Sequence, residues 1–292
     1  MIQNNNLNVL PFYRDVADQD HRKRWVYTAK VPLISTRGKF LPFQIRRNHA
    51  DAVAQPITLV QLFDCNDNFL LDVTTEALAA GLFIKEFIID GYDLIINPSF
   101  NILTVSIPQG TYYLKISDGP NTYFSELFTM FNFVDNFVKI TYFRNGDNIR
   151  DLHTNEIVQY YEEGHKNYMY LPTDIAKPEY PYSETGKERD GLFTPYVMIS
   201  RKQLGLSIFA PEFLADVLRI LPMHDSVTFF YDGKSYPARR IIVQGDEWAE
   251  QGNLLKMDIS FLTDNGIKVT AKSKIKNIGN YGPDYGPDYD KN

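Results

Sequence analysis

Dipeptides that join aspartate or asparagine to glycine punctuate this chain: Asp90-Gly91, Asp118-Gly119, Asn145-Gly146, Asp190-Gly191, Asp232-Gly233 and Asn265-Gly266. A two-residue hairpin needs positive φ at its centre, which glycine adopts freely and Asn or Asp at little cost. Runs rich in β-branched and aromatic residues flank several of them. Residues 83–89 lead into Asp90-Gly91 and 92–96 lead out; 111–116 precede Asp118-Gly119 and 123–128 follow; 227–231 and 235–243 flank Asp232-Gly233. The pattern predicts a mainly β chain of antiparallel hairpins.

Helical periodicity is scarce. Pro211 to Leu221 is the clearest case: proline suits a helix start, Glu212 complements the positive end of the dipole, and Pro222 ends the run. Phe213, Leu214, Val217, Leu218 and Leu221 recur at helical spacing and predict one amphipathic helix packed on a sheet. Thr74 to Ala80, closed by Gly81, is a shorter candidate.

Composition narrows the function classes. The chain has 292 residues, net charge −6 and an aromatic fraction of 14% from 19 Tyr, 20 Phe and 2 Trp. That aromatic content suits half-buried sheets and broad contact surfaces. An acidic balance argues against sequence-specific nucleic-acid binding, which concentrates basic charge against phosphates. Cys65 stands alone, so no internal disulfide framework or multi-cysteine metal site forms. The N-terminal residues lack the basic and apolar regions of a leader, and no apolar run approaches the ~20 residues of a bilayer span, so membrane insertion is not expected.

Catalytic and metal-binding patterns weigh against their plainer readings. Asp64-Cys65-Asn66-Asp67-Asn68 spaces oxygen ligands as a Ca²⁺ loop does, but Phe69 replaces the turn glycine and Thr75 the closing glutamate. A polar hairpin tip is the expectation there. His21, His49, His153, His165 and His224 have no zinc-type spacing. Neither a nucleophile elbow nor a phosphate-cradling glycine loop occurs. Acids beside aromatics (Glu162, Glu163, Glu179, Asp246 and Glu247-Trp248) leave a glycosidase carboxylate pair open. The basic run His21-Arg22-Lys23-Arg24 before Trp25 reads as a guarded strand edge or a subunit contact.

Two stretches carry a resemblance. Residues 108–119 with 123–128, and residues 182–193 with the strand–helix–hairpin series from Leu204 to Gly233, resemble virion proteins of tailed phages and prophages of Bacteroidetes hosts. The second part is similar to the tail-tube and distal-tail fold, a sandwich or split barrel with one helix. The resemblance implies a non-enzymatic subunit of tail or baseplate, without cofactor. Such a subunit assembles into a homo-oligomeric ring, hexameric in that family, around the tail channel and docks other tail, hub or fibre proteins.

The expected organisation is therefore two antiparallel β domains. Residues 1–131 form a β-sandwich; 132–190 form a linker and long loop excursion with a strand near 137–143; 191–279 form the tail-tube-like domain; 280–292 form an extended tail with a Tyr-Gly-Pro-Asp repeat. Interface candidates are Arg22, Arg24, Trp25, Tyr160, Tyr161, Tyr180, Tyr182, Trp248, Tyr281, Tyr285 and Tyr289. The alternative is a carbohydrate-binding adhesin, which needs an exposed aromatic platform; a tail-associated glycosidase is a third class.

Overall fold

The computed structural model describes residues 7–13, 33–48, 56–87, 92–97, 107–119, 121–146, 148–150, 152, 157–161, 165–189, 192–248 and 254–270. The chain is mainly β. Its first half holds β1 (Phe12–Tyr13), β2 (Leu33–Thr36), β3 (Phe43–Asn48), β4 (Leu59–Asp64), β5 (Phe69–Asp72), β6 (Phe83–Phe87), β7 (Tyr92–Asn97), β8 (Gly110–Ser117), β9 (Thr122–Ser125) and β10 (Phe128–Phe131). The second holds β11 (Val138–Phe143), β12 (Ile149–Arg150), β13 (Ile157–Gln159), β14 (Asn167–Leu171), β15 (Tyr182–Arg189), β16 (Leu192–Pro211), β17 (Ser226–Tyr231), β18 (Lys234–Trp248) and β19 (Leu254–Thr270). Helices α1 (Thr74–Ala79) and α2 (Glu212–Arg219) occupy the two predicted helical stretches.

The expected hairpins form: β6 pairs β7, β8 pairs β9 and β17 pairs β18, all antiparallel. One turn signal misleads. Asn265-Gly266 lies inside β19, where Gly266 faces Arg201 beside a register shift between Arg201 and Gln203. Glycine here marks a ladder irregularity rather than a hairpin.

The N-terminal half is a sandwich. A sheet ordered β1-β9-β8-β10-β2, with β4 and β5 attached beside β8, faces the smaller β3-β7-β6 sheet. Among the described strands, only β2 and β10 run parallel. The sheets meet through Phe12 and Phe43, whose ring centroids lie 4.5 Å apart. Alternation along β7 supplies both faces of the small sheet: Ile95 joins the main core, while Tyr92, Leu94 and Ile96 pack against Ile157 and Tyr160. Arg47 bridges the sandwich, making a bidentate contact to Asp93 (2.6 Å for each nitrogen) and a 2.8 Å bond to Asp118.

The C-terminal sheet is ordered β14-β11-β17-β18-β19-β16-β15. Four strands thus separate β14 from β16, about 24 Å across a flat sheet at ~4.8 Å per strand spacing. Yet Thr173, two residues beyond β14, donates its hydroxyl to the Ser207 carbonyl of β16 at 2.7 Å. Two residues of chain reach only about 7 Å. The sheet therefore curls nearly to closure as a barrel. Residues 173–181 then line the margin of β16 through Ala176 N–H to Gly205 O and the Glu179–Gln203 backbone pair, until β15 takes over. Phe229 and Phe261 stack inside the curve, and α2 buries Leu214, Ala215, Val217 and Leu218 against the interior. Each fully buried large apolar side chain contributes roughly 1.5–3 kcal/mol.

The strand expected near 137–143 is β11, but the rest of 132–190 is not a linker and loop excursion. The stretch supplies β11 and β14 to one margin of the barrel, β15 to the other, and the β12–β13 pair between the halves. Its strands read poorly in sequence because most are short, and β14 is buried at every position and so lacks alternation. One buried cluster runs from Val9 to Phe261 across the boundary near 131.

Candidate assembly surface

Tyr160 and Tyr161, expected between subunits, are wholly buried within the chain. Successive residues point oppositely, so Tyr160 packs with Tyr92, Leu94 and Ile96 of the small sheet while Tyr161 packs with Ile149 and Ile220. Gln44 fixes this segment: it accepts from the Tyr160 N–H at 2.8 Å and donates to the Tyr160 carbonyl at 3.0 Å. The tyrosines do form a contact surface, but one that joins the two halves of a single chain.

The other candidates divide. Tyr180 is 64% exposed on the strip beside β16, and Trp248 is 56% exposed at the end of β18. Tyr182 opens β15 opposite Ser200. Arg22, Arg24, Trp25, Tyr281, Tyr285 and Tyr289 lie outside the described residues, as do Glu162 and Glu163.

The dominant feature is an arm. Strand β16 runs 20 residues, about 65 Å at ~3.3 Å per residue, where strands of five or six are usual. The β18–β19 ladder ends at Ala238–Thr263. Beyond it, residues 197–201 of β16 continue between β15 and residues 266–270 of β19, and residues 192–195 pair with β15 alone among the described residues. Pro195, which has no N–H, faces Gly186 beside the register shift between Thr185 and Gly186. The arm's middle strand reads Leu192-Phe193-Thr194-Pro195-Tyr196-Val197-Met198-Ile199, apolar in both alternations, a pattern suited to burial on both faces. Among the described residues β15 pairs only with β16, leaving its outer backbone edge open.

A second surface lies on the sandwich. Phe63 and Tyr113, directly opposed across β4 and β8, stack at 5.3 Å and 12°, with Phe69 edge-on to Phe63 and Phe124 tilted against Tyr113. Their faces are largely spent on one another, unlike the free ring faces of a sugar platform. The adjoining β4–β5 tip is the polar turn expected from its residues. Asp64 Oδ1 accepts the N–H groups of Asn66 and Asn68, and Oδ2 accepts the Asn68 amide. These bonds hold the Asp64 carboxyl below its usual pKa. Among the described residues, no three of His, Cys, Asp and Glu share a metal-binding arrangement.

An open groove of about 690 Å³ on the barrel is walled by Pro172, Asp174, Gly205, Ile242, Gln244 and Asp258 among others. Its carboxylates are engaged: Tyr231 donates to Asp174 at 2.6 Å, while Asp258 accepts from Ser207 and pairs with Lys256. No helix of the described residues is long and apolar enough to cross a membrane. No protein-family model matches the chain, and no curated protein matches it.

Sequence reasoning missed the buried network around Tyr161. Its hydroxyl lies 2.6 Å from His224 Nε2 and accepts from Asn167 Nδ2 at 3.0 Å, and Asn167 Oδ1 meets His165 Nε2 at 3.1 Å. Burial pushes both histidines down to about 4. No spacing signals this: Tyr161, His165 and Asn167 are close in sequence, but His224 is 63 positions from Tyr161 and only the tertiary fold brings it to them.

Proposed function

We propose that this protein is a non-enzymatic structural subunit of a phage tail or baseplate. It self-associates into a ring around the tail channel and docks other tail, hub or fibre proteins. The arm is the observation that carries the reading. Three strands extend past the barrel, the middle one has apolar sequence on both alternations, and β15 has no strand on its outer edge among the described residues. Such a device gains its burial from another chain. The near-closed barrel with one packed helix agrees with the tail-tube resemblance of the second half. The virion is then the site of action.

Light scattering on the purified full-length protein, with negative-stain electron microscopy, tests this. Closed rings are expected, and replacing residues 186–196 by a short glycine turn is expected to dissolve them into folded monomers. A protein that stays monomeric at high concentration and is absent from purified virions overturns the reading.

A further inference from the structure

Lys139 stands on β11 among three rings from its two neighbouring strands, β14 and β17. Its ammonium lies 5.2 Å from the centroid of Tyr168, 5.7 Å from Tyr170 and 5.8 Å from Phe230. Pairing registers explain the convergence. Lys139 faces Tyr170 of β14 on one side and Phe230 of β17 on the other, so all three side chains share one face. A second cation arrives from the other half of the chain. The turn after β2 carries Lys39, whose ammonium lies 4.9 Å from the same Tyr168 centroid. Gly38, at φ 71°, lets that turn double back, and the Tyr168 hydroxyl fixes it by donating to the Phe40 carbonyl at 2.7 Å.

One cation on aromatic faces is an ordinary way to bury a lysine stem. Two ammoniums on a single ring are not, because their repulsion is unrelieved by the ring. Neither Lys39 nor Lys139 forms an ion pair with a carboxylate among the described residues. Asp135 is felt in this region, at Tyr170, but pairs with neither lysine. Both lysines are half-buried, so water screens them incompletely. Burial and the charge of Lys39 both hold the Lys139 ammonium below the usual lysine pKa.

We propose that Lys39 and Lys139 form a binding site for an oxyanion, a phosphate or carboxylate group, at the seam between the sandwich and the barrel. The anion supplies the missing counter-charge, and Tyr168, Tyr170 and Phe230 wall the site with low-dielectric rings that strengthen its attraction. This inference is independent of ring assembly and stands whether or not the protein is a tail subunit.

Thermal unfolding of the full-length protein tests it, with sodium phosphate and poly-L-glutamate as probes against sodium chloride of equal ionic strength. At tenfold excess over Kd a specific rise of roughly 3 °C in Tm is expected. A response to phosphate alone assigns the site to a phosphate group, and a response to poly-L-glutamate alone assigns it to a protein carboxylate. Either response must vanish in Lys39→Met/Lys139→Met. Should that variant not fold, ¹³C-dimethyl-lysine NMR of the unsubstituted protein decides: saturable shifts are expected at Lys39 and Lys139 only. No rise beyond chloride, an equal rise in the variant, or uniform shifts across surface lysines overturns the proposal.

Discussion

The Tyr161 hydroxyl and His224 Nε2 lie 2.6 Å apart at the junction of the two halves, and the bonds around them fix who donates. Asn167 Nδ2 donates to the Tyr161 oxygen, which in turn donates to His224 Nε2, while Nδ1 of His224 donates to the Ile220 carbonyl at 2.9 Å. Burial, which lowers its pKa to about 4, keeps His224 neutral at pH 7 and leaves Nε2 as the acceptor. Protonating it would turn Nε2 from acceptor to donor and deprive the buried Tyr161 O–H of the nitrogen it donates to. His165 Nδ1 is buried without a protein partner and equally resists a proton. Around His224, Arg144 reinforces burial in lowering its pKa, whereas Asp225 and the backbone acceptors oppose it.

Acid is expected to loosen the protein in a definite window. The unfolded chain takes up protons as pH falls through 6.5, whereas the folded histidines do so only near pKa about 4. This stability is complete above pH 6.5 and is lost progressively toward pH 4. At about 1.4 kcal/mol per pKa unit, each histidine accounts for up to about 3 kcal/mol. Urea midpoints measured between pH 7 and 4.5 check it. Substituting His224→Gln is expected to flatten the slope by about half, and an unchanged slope counts against the assignment.

Removing Arg47 strands two buried carboxylates. Arg47→Met is expected to cost about 3–5 kcal/mol, because Asp93 and Asp118 lose a bidentate and a single charge-assisted bond inside the sandwich. Denaturant unfolding of Arg47→Met against the triple replacement Arg47→Met/Asp93→Asn/Asp118→Asn separates stranded charge from lost packing. The triple variant is expected to recover part of the loss.

Barrel closure rests partly on Thr173. Thr173→Val keeps the shape and deletes the bond to Ser207, at a cost of about 1 kcal/mol in urea. Amide exchange at residues 205–207 and 176–179 is expected to quicken in this variant while the β17–β18 hairpin is unaffected. Uniform quickening would show that the bond does not act locally.

The Asp232-Gly233 turn has φ of 50° and 66° at its two central residues, both left-handed. Gly233→Val is expected to cost about 1–2 kcal/mol and Gly233→Asn less, since asparagine tolerates that conformation. Thermal melts of the pair check the order.

Much of the local architecture was legible because hairpin chemistry is local. Asp232-Gly233 announces a turn in two residues, and the apolar spacing from Phe213 to Leu218 announces α2 within three turns. β14 and β13 were not legible. At β14, burial of every residue from Asn167 to Leu171 erases the period of two, and β13 has only three residues. The arm was hidden as well, because Asn265-Gly266 looks like a turn but continues in β19 through an irregular register.

For the candidate surface, the sequence determined that aromatics would build large contacts, since 19 Tyr and 20 Phe exceed what one small core absorbs. Only the tertiary structure decided which contacts those are. Tyr160 and Tyr161 are consumed in joining sandwich to barrel, Phe229 and Phe261 fill the barrel, and Tyr180 and Trp248 remain outside. The reason is physical: turn and helix propensities act within a few residues, whereas the partner of a buried ring comes from segments distant in sequence, as Tyr160 meets Tyr92 and Tyr161 meets Ile220.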